Sequence, residues 1–163
     1  MPVMADDLAR LEEWFGQILH SFSPAERRRA AHKLGLALRR SNLKRIAANV
    51  QPDGSAMEEK KARRNRKGRI VEPAGGKMFK GLRYARHWRV DAAPDGVELR
   101  PASNLAAYFG AVNQFGLTAT VGRLRNGGKI RAKYPERRLL GFSDEDEKLA
   151  LEIAGELLEP QGF

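Results

Sequence analysis

Apolar residues near the amino terminus recur at three- and four-residue spacing in two blocks. Leu8, Leu11, Phe15, Ile18, Leu19 and Phe22 fall on one face of a helix over 6–21, with Asp6 or Asp7 available to cap it. Ser23-Pro-Ala-Glu26 opens a second helix: Ser caps, Pro takes the first helical position and Glu completes the capping box. The pattern predicts a helix from Pro24 to about Asn49, burying Ala30, Leu34, Ala37, Leu38, Ser41 and Ala48. Arg27, Arg28, Lys33, Arg39, Arg40 and Lys44 occupy its other face, and Pro52 with Asp53-Gly54 ends it.

Apolar periodicity then lapses over 54–76 and returns with period two. Residues 84–90 and 96–100 flank Pro94-Asp95-Gly96 and read as a hairpin. Ser103 can cap a short helix carrying Tyr108, Phe109 and Val112, stopped by Gly116. Asn126-Gly127-Gly128 marks the tip of an exposed hairpin with basic flanks. A last helix starts at Ser143, with Leu149, Ile153, Ala154 and Leu157 on one face and Asp144, Glu145 and Asp146 in its first turn. Just before it, Leu139 and Leu140 read as a short strand and Gly141 as its hinge.

Composition narrows what such a chain does. At 163 residues it has the length of one domain, and 42% hydrophobic residues suit a folded core. With no cysteine, disulfides, thiolate metal sites and a Cys nucleophile are excluded. The acids at 6, 7, 12 and 13 do not suit a secretory signal, and no stretch approaches the ~20 apolar residues of a membrane span. The net charge of +10 points to polyanions: DNA, RNA or an acidic protein face. A soluble protein with surplus Lys and Arg would look the same.

The densest basic run, Lys60, Lys61, Arg63, Arg64, Arg66 and Lys67, sits in the stretch 55–76, read as a flexible basic loop because like charges repel. It could track phosphates, and equally it could be a solvated loop; it has no interleaved aromatics for base stacking. Arg123, Arg125, Lys129 and Arg131 form a second such set. His20, His32 and His87 lack metal-ligand spacing, so no metal or cofactor is expected. The acids at 144–146 are explained by helix capping, and Gly75-Gly76-Lys77 lacks the spacing of a phosphate loop. No nucleophile–base pair is visible, so an enzyme is not expected.

The pieces are arranged as in one known family. An Arg-rich helix leads into Gln51-x-Asp-Gly54, then come a basic stretch, Gly76-Lys-Met-Phe79 with Leu82-Arg83, Gly96-Val97 and Gln114-Phe-Gly116. Tyr134-Pro, Arg138-Leu-Leu-Gly141 and Asp146 close the series. In this order, over about 25–160, the chain resembles the tail completion (virion morphogenesis) family of contractile-tailed bacteriophages. It departs in lacking an aromatic near Met57 and in having Asn113 where the family often has His, so no role of that His carries over.

The reading is therefore a single α+β domain over 1–163: two N-terminal helices, a small antiparallel sheet with a basic loop or hairpin, and a C-terminal helix packing back on the sheet. The resemblance implies a non-enzymatic phage or prophage protein, assembled in the bacterial cytoplasm, that completes the head-proximal end of the tail and enables head–tail joining. It implies a homo-oligomeric ring, six copies by the symmetry of contractile tails, touching other tail or neck proteins, with DNA passing through and no membrane contact. The two basic sets are the candidate DNA-facing residues. Gln114, Phe115, Gly116, Leu139, Leu140, Gly141 and Ser143 are the candidate structural or interface residues. The alternative is a sequence-nonspecific nucleic-acid-binding module.

Overall fold

Ser23 starts the first described helix as its sequence requires. Its hydroxyl accepts the Glu26 N–H at 3.3 Å while the Glu26 carboxylate accepts the Ser23 N–H at 2.8 Å. The structure, a computed structural model, describes residues 20–158. The helix expected over 6–21 lies outside them apart from His20 and Ser21. Helix α1 runs Pro24–Ala48 and closes on Asn49 in the left-handed conformation, φ 56°. A short ribbon of β1 (Arg63–Arg64) and β2 (Ile70–Glu72) follows. A 3-10 turn at Ala85–His87 leads into β3 (Trp88–Ala93) and β4 (Gly96–Pro101). Helix α2 (Asn104–Gln114), strands β5 (Thr118–Arg123) and β6 (Lys129–Lys133), and helix α3 (Asp144–Leu158) complete the order.

The α+β class and its antiparallel pairing are as expected, but the strands form three separate two-stranded ribbons rather than one sheet. The β3–β4 hairpin turns on Pro94-Asp95, with Ala93 paired to Gly96. Its first strand begins at Trp88 rather than 84, because the 3-10 turn takes up the preceding residues. The β5–β6 hairpin turns at Asn126-Gly127, where Gly127 adopts φ 84°. The basic stretch carries a ribbon where its composition predicts none. Asn65 organises the turn by accepting the N–H groups of Lys67 and Arg69 at 2.9 and 3.0 Å.

The core gathers Ile46, Met57, Met78, Leu82, Trp88, Ala106 and Leu139. Trp88 is fixed within it by donating to the Leu82 carbonyl at 2.7 Å. Helix α1 packs on both β3–β4 and α3, so the C-terminal helix returns to a helix and not to a sheet. Its buried stripe is Gly35, Leu38, Asn42 and Ile46; Ala48, expected inside, is exposed. The stripe is displaced because Gly35 and Asn42 look like surface residues yet serve packing. A Cβ at position 35 would stand 2.4 Å from Val90 Cγ1 and 2.5 Å from Val97 Cγ2, so only glycine lets the hairpin approach.

This contact sets a sign. Gly35→Ala gains up to ~1 kcal/mol of helix propensity, but it overpacks stiff β-branched neighbours. A net loss of about 1–3 kcal/mol is expected, read from denaturant unfolding. Unchanged or increased stability would show that the hairpin can yield.

Candidate assembly site

Between β6 and α3 the chain runs through residues 134–143 without pairing to any strand, so the strand expected at Leu139 and Leu140 is absent. Buried backbone groups still need partners. Here they find side chains.

Arg138 N–H donates to Gln51 Oε1 at 3.0 Å. Leu139 and Leu140 N–H both donate to Gln114 Oε1, at 2.8 and 3.0 Å, and Gln114 Nε2 returns a bond to the Leu140 carbonyl at 3.1 Å. Gly141 N–H donates to Asn42 Oδ1 at 3.1 Å, and Arg137 N–H to the Asn113 carbonyl at 2.7 Å. Three amide side chains thus replace a partner strand, each from a different part of the chain. Asn42 comes from the middle of α1 and is itself anchored to the Leu38 carbonyl at 2.8 Å. Gln51 comes from the turn after α1, and Gln114 is the last residue of α2.

Two guanidinium groups complete the lattice. Arg45 Nη2 lies 2.8 Å from Asp146 Oδ2 and 2.9 Å from the Gly141 carbonyl. Arg45 Nη1 donates to Ser41 Oγ at 2.8 Å and Ser143 Oγ at 3.1 Å. Asp146 is 1% exposed. It also accepts the Ser143 N–H at 3.0 Å while Ser143 Oγ accepts the Asp146 N–H at 3.3 Å, a capping box with Asp in the Glu position. Burial pushes the Asp146 carboxyl up, but bonds from Arg45, Ser41 and the Ser143 backbone, with the Arg45 charge, outweigh it and hold the group below its ordinary range.

Arg137, 7% exposed, instead reaches only neutral oxygens: the Glu58 carbonyl at 2.6 Å, the Glu59 carbonyl at 3.2 Å and Asn113 Oδ1 at 3.2 Å. Burial lowers its pKa, yet a guanidinium keeps its proton. It ties the connector and α2 to the chain leading into the basic ribbon.

The residues singled out from the sequence fall unequally. Gln114, Leu139, Leu140, Gly141 and Ser143 meet at the lattice. Leu139 is buried and Leu140 half-buried against the core. Gly116 (φ 59°) sits 3.0 Å, measured from an added Cβ, from the Glu136 backbone, and a Cβ at Gly141 would stand 2.6 Å from Pro52 Cγ. Phe115 points outward, 67% exposed. The basic residues lie apart from this lattice. Lys60 bonds Glu72 at 3.0 Å and Arg63 stands 3.9 Å from it, holding that carboxyl below its usual range. Arg64 donates to the Gly68 carbonyl at 2.9 Å, and Lys61, Arg66 and Lys67 are exposed. Arg123, Arg125, Lys129 and Arg131 are exposed on the β5–β6 hairpin, whose extensive contacts are between its own strands. Asn42, Arg45 and Arg137 were missed. Asn42 carried one usable signal, an amide on the apolar stripe of a helix. Among the described residues no three His, Asp or Glu side chains gather where a metal could sit.

The segments that meet here are the same ones that carry the resemblance: Gln51-x-Asp-Gly54, Asn113-Gln-Phe-Gly116 and Arg138 to Asp146. A family model, the phage virion morphogenesis family, matches residues 6–159. The chain belongs to this family. It is also 31% identical over 150 residues to tail completion protein S of Escherichia phage P2, covering 91% of this chain and 95% of that protein. No solved structure matches it significantly. In this member of the virion morphogenesis family, Asn113 is a buried acceptor for Arg137.

Two outcomes follow from the lattice. Asp146 binds its proton more weakly folded than unfolded, so its contribution is complete above about pH 4 and is lost as pH falls through the lower folded value. Asp146→Asn should cost about 2–4 kcal/mol at neutral pH, by leaving the part-buried Arg45 without its counter-charge, and should flatten the acid limb of stability against pH. An unaltered acid limb would assign acid sensitivity to other carboxylates. Separately, Gln114→Ala leaves the Leu139 and Leu140 N–H groups and the Leu140 carbonyl without partners, at about 1–3 kcal/mol for each buried group. Gln114→Glu keeps both acceptor bonds and loses the donor, so its melting should fall between the two.

Proposed function

We propose that this chain is a tail-completion protein of a contractile-tailed bacteriophage or prophage, acting through protein contacts and not through catalysis. The observation that carries the reading is its near full-length match, 91% of one chain and 95% of the other, to a protein named for tail completion. The geometry is in keeping with it: the polar side chains that the family motifs bring together are spent on holding backbone. In this reading the protein closes the head-proximal end of the tail, as a ring of six, and prepares it to join the head. Assembly takes place in the bacterial cytoplasm, against other tail or neck proteins.

The two exposed basic ribbons are the elements assigned to DNA passing the ring. Lys61, Arg66 and Lys67 on the first, with Arg123, Arg125, Lys129 and Arg131 on the second, face solvent and are free to neutralise phosphates. On the first ribbon Lys60 and Arg63 are partly engaged by Glu72 and Arg64 by a carbonyl. The stretch 55–76 is taken as the mobile part of the molecule.

The test is removal of the gene from the phage or prophage that carries it. Electron microscopy should then show DNA-filled heads and separate tails, with joined particles restored by the wild-type gene. Gly141→Val, which drives a side chain into Pro52, should restore few of them. Normal yields of joined particles without the gene would end this reading.

A further inference from the structure

The chain is 31% charged, yet from Pro101 to Gly122 it contains no charged residue. That window is helix α2 with its flanks, and much of it is exposed. Leu105 and Phe115 are each 67% exposed, and Tyr108 and Phe109, stacked edge to face at 5.7 Å between centroids, are about half exposed. Leu117 and Val121 extend the apolar surface past the helix. Together these side chains leave on the order of 600 Å² of apolar area in water, more than isolated surface residues require and close to one side of a standard protein interface.

The same helix borders a recess of about 340 Å³. Its walls include Trp88, Pro101, Ala107, Gly110, Leu140 and the exposed Phe115. The small residues of α2 open this recess, while Leu105 and Tyr108, one turn apart, stand out from the same helix as a ridge. A ridge and a hollow therefore belong to one chain.

We propose that helix α2 is a self-association surface, the Leu105–Tyr108 ridge of one copy seating in the Trp88–Leu140 recess of the next. Charge decides the occupant. Each copy carries +10, so copies repel through most faces, and an acidic partner would be drawn to the basic ribbons or the outer face of α1. Only a surface free of charge brings two such copies together without opposing cations. Absence of charge with aromatic enrichment is also the composition of interface cores. The hollow on the other side of α2, which Leu105 and Phe109 border, includes Lys80, a charge that the Trp88–Leu140 recess lacks. Ridge and recess lie side by side on one helix, so the contact closes a ring only where it runs head to tail; a reciprocal two-fold pair would stop at a dimer, and sedimentation separates the two. This names the contact by which the ring proposed above would close, and it rests on that reading for its biological role.

The experiment uses the full chain, followed by sedimentation velocity over rising concentration. Wild type should associate, and Tyr108→Glu should weaken association by about tenfold or more with unchanged melting, since Tyr108 is half exposed. The chain lacks cysteine, which permits a second measurement should that variant fold poorly. Tyr108→Cys mixed with Ala107→Cys should cross-link between copies on oxidation faster than either mixed with Glu98→Cys, a control on exposed β4. A monomeric wild type, unaltered association of Tyr108→Glu, or cross-linking no faster than the control would overturn the proposal. Gene removal reports on tail completion independently, so loss of joined particles on gene removal together with unaltered Tyr108→Glu association would discard this surface alone.

Discussion

A backbone that crosses the interior of a protein outside any sheet must find an acceptor for each N–H it buries. Everything else in this structure depends on how residues 137–141 meet that demand. A partner strand would supply acceptors at fixed spacing from one segment. Asn42, Gln51 and Gln114 supply them from three, so α1, the turn after it and α2 are fixed relative to one another by the segment they jointly hold. The lattice positions Leu139 in the core and brings Gly141 against Pro52. The same bonds therefore set tertiary arrangement and backbone satisfaction at once.

Charge inside the lattice follows the same rule. Burying Asp146 is unfavourable by itself, and Arg45 is acceptable there only because its guanidinium also satisfies Ser41, Ser143 and the Gly141 carbonyl. Arg137 has no carboxylate and relies on three neutral oxygens, a weaker arrangement electrostatically but a wider one, since those oxygens belong to two distant segments. One pair anchors α3 to α1. The other cation anchors the root of the basic ribbon.

What the sequence disclosed was governed by distance along the chain. The caps at Ser23, Ser103 and Ser143 and the turns at Pro94-Asp95 and Asn126-Gly127 are local events between near neighbours, and each stands where its residues place it. The stripe of α1 was displaced because Gly35 and Asn42 are poor helix or core residues on average, and their reasons lie across the fold in Val90, Val97 and Gly141. Leu139-Leu140 alternates as a strand would, and no pattern within the segment reveals that a glutamine 25 residues earlier will bond it. Arg137 carries no local sign of burial at all. The site was thus visible as a set of turn motifs, but the bonds joining them were not.

The separation of those bonds along the chain also orders events in time. Helices and tight hairpin turns close over short loops, whereas Asn42 to Gly141 and Gln51 to Arg138 span 99 and 87 residues. During synthesis, α1, the ribbons and α2 emerge before any residue of the connector exists. Until residue 141 leaves the ribosome, Asn42, Gln51 and Gln114 have nothing to hold, and the basic ribbons hang on an unlocked body. Only a chain translated past Asp146 can form every bond of the lattice, so a truncation before that residue leaves α1 and α2 unlocked.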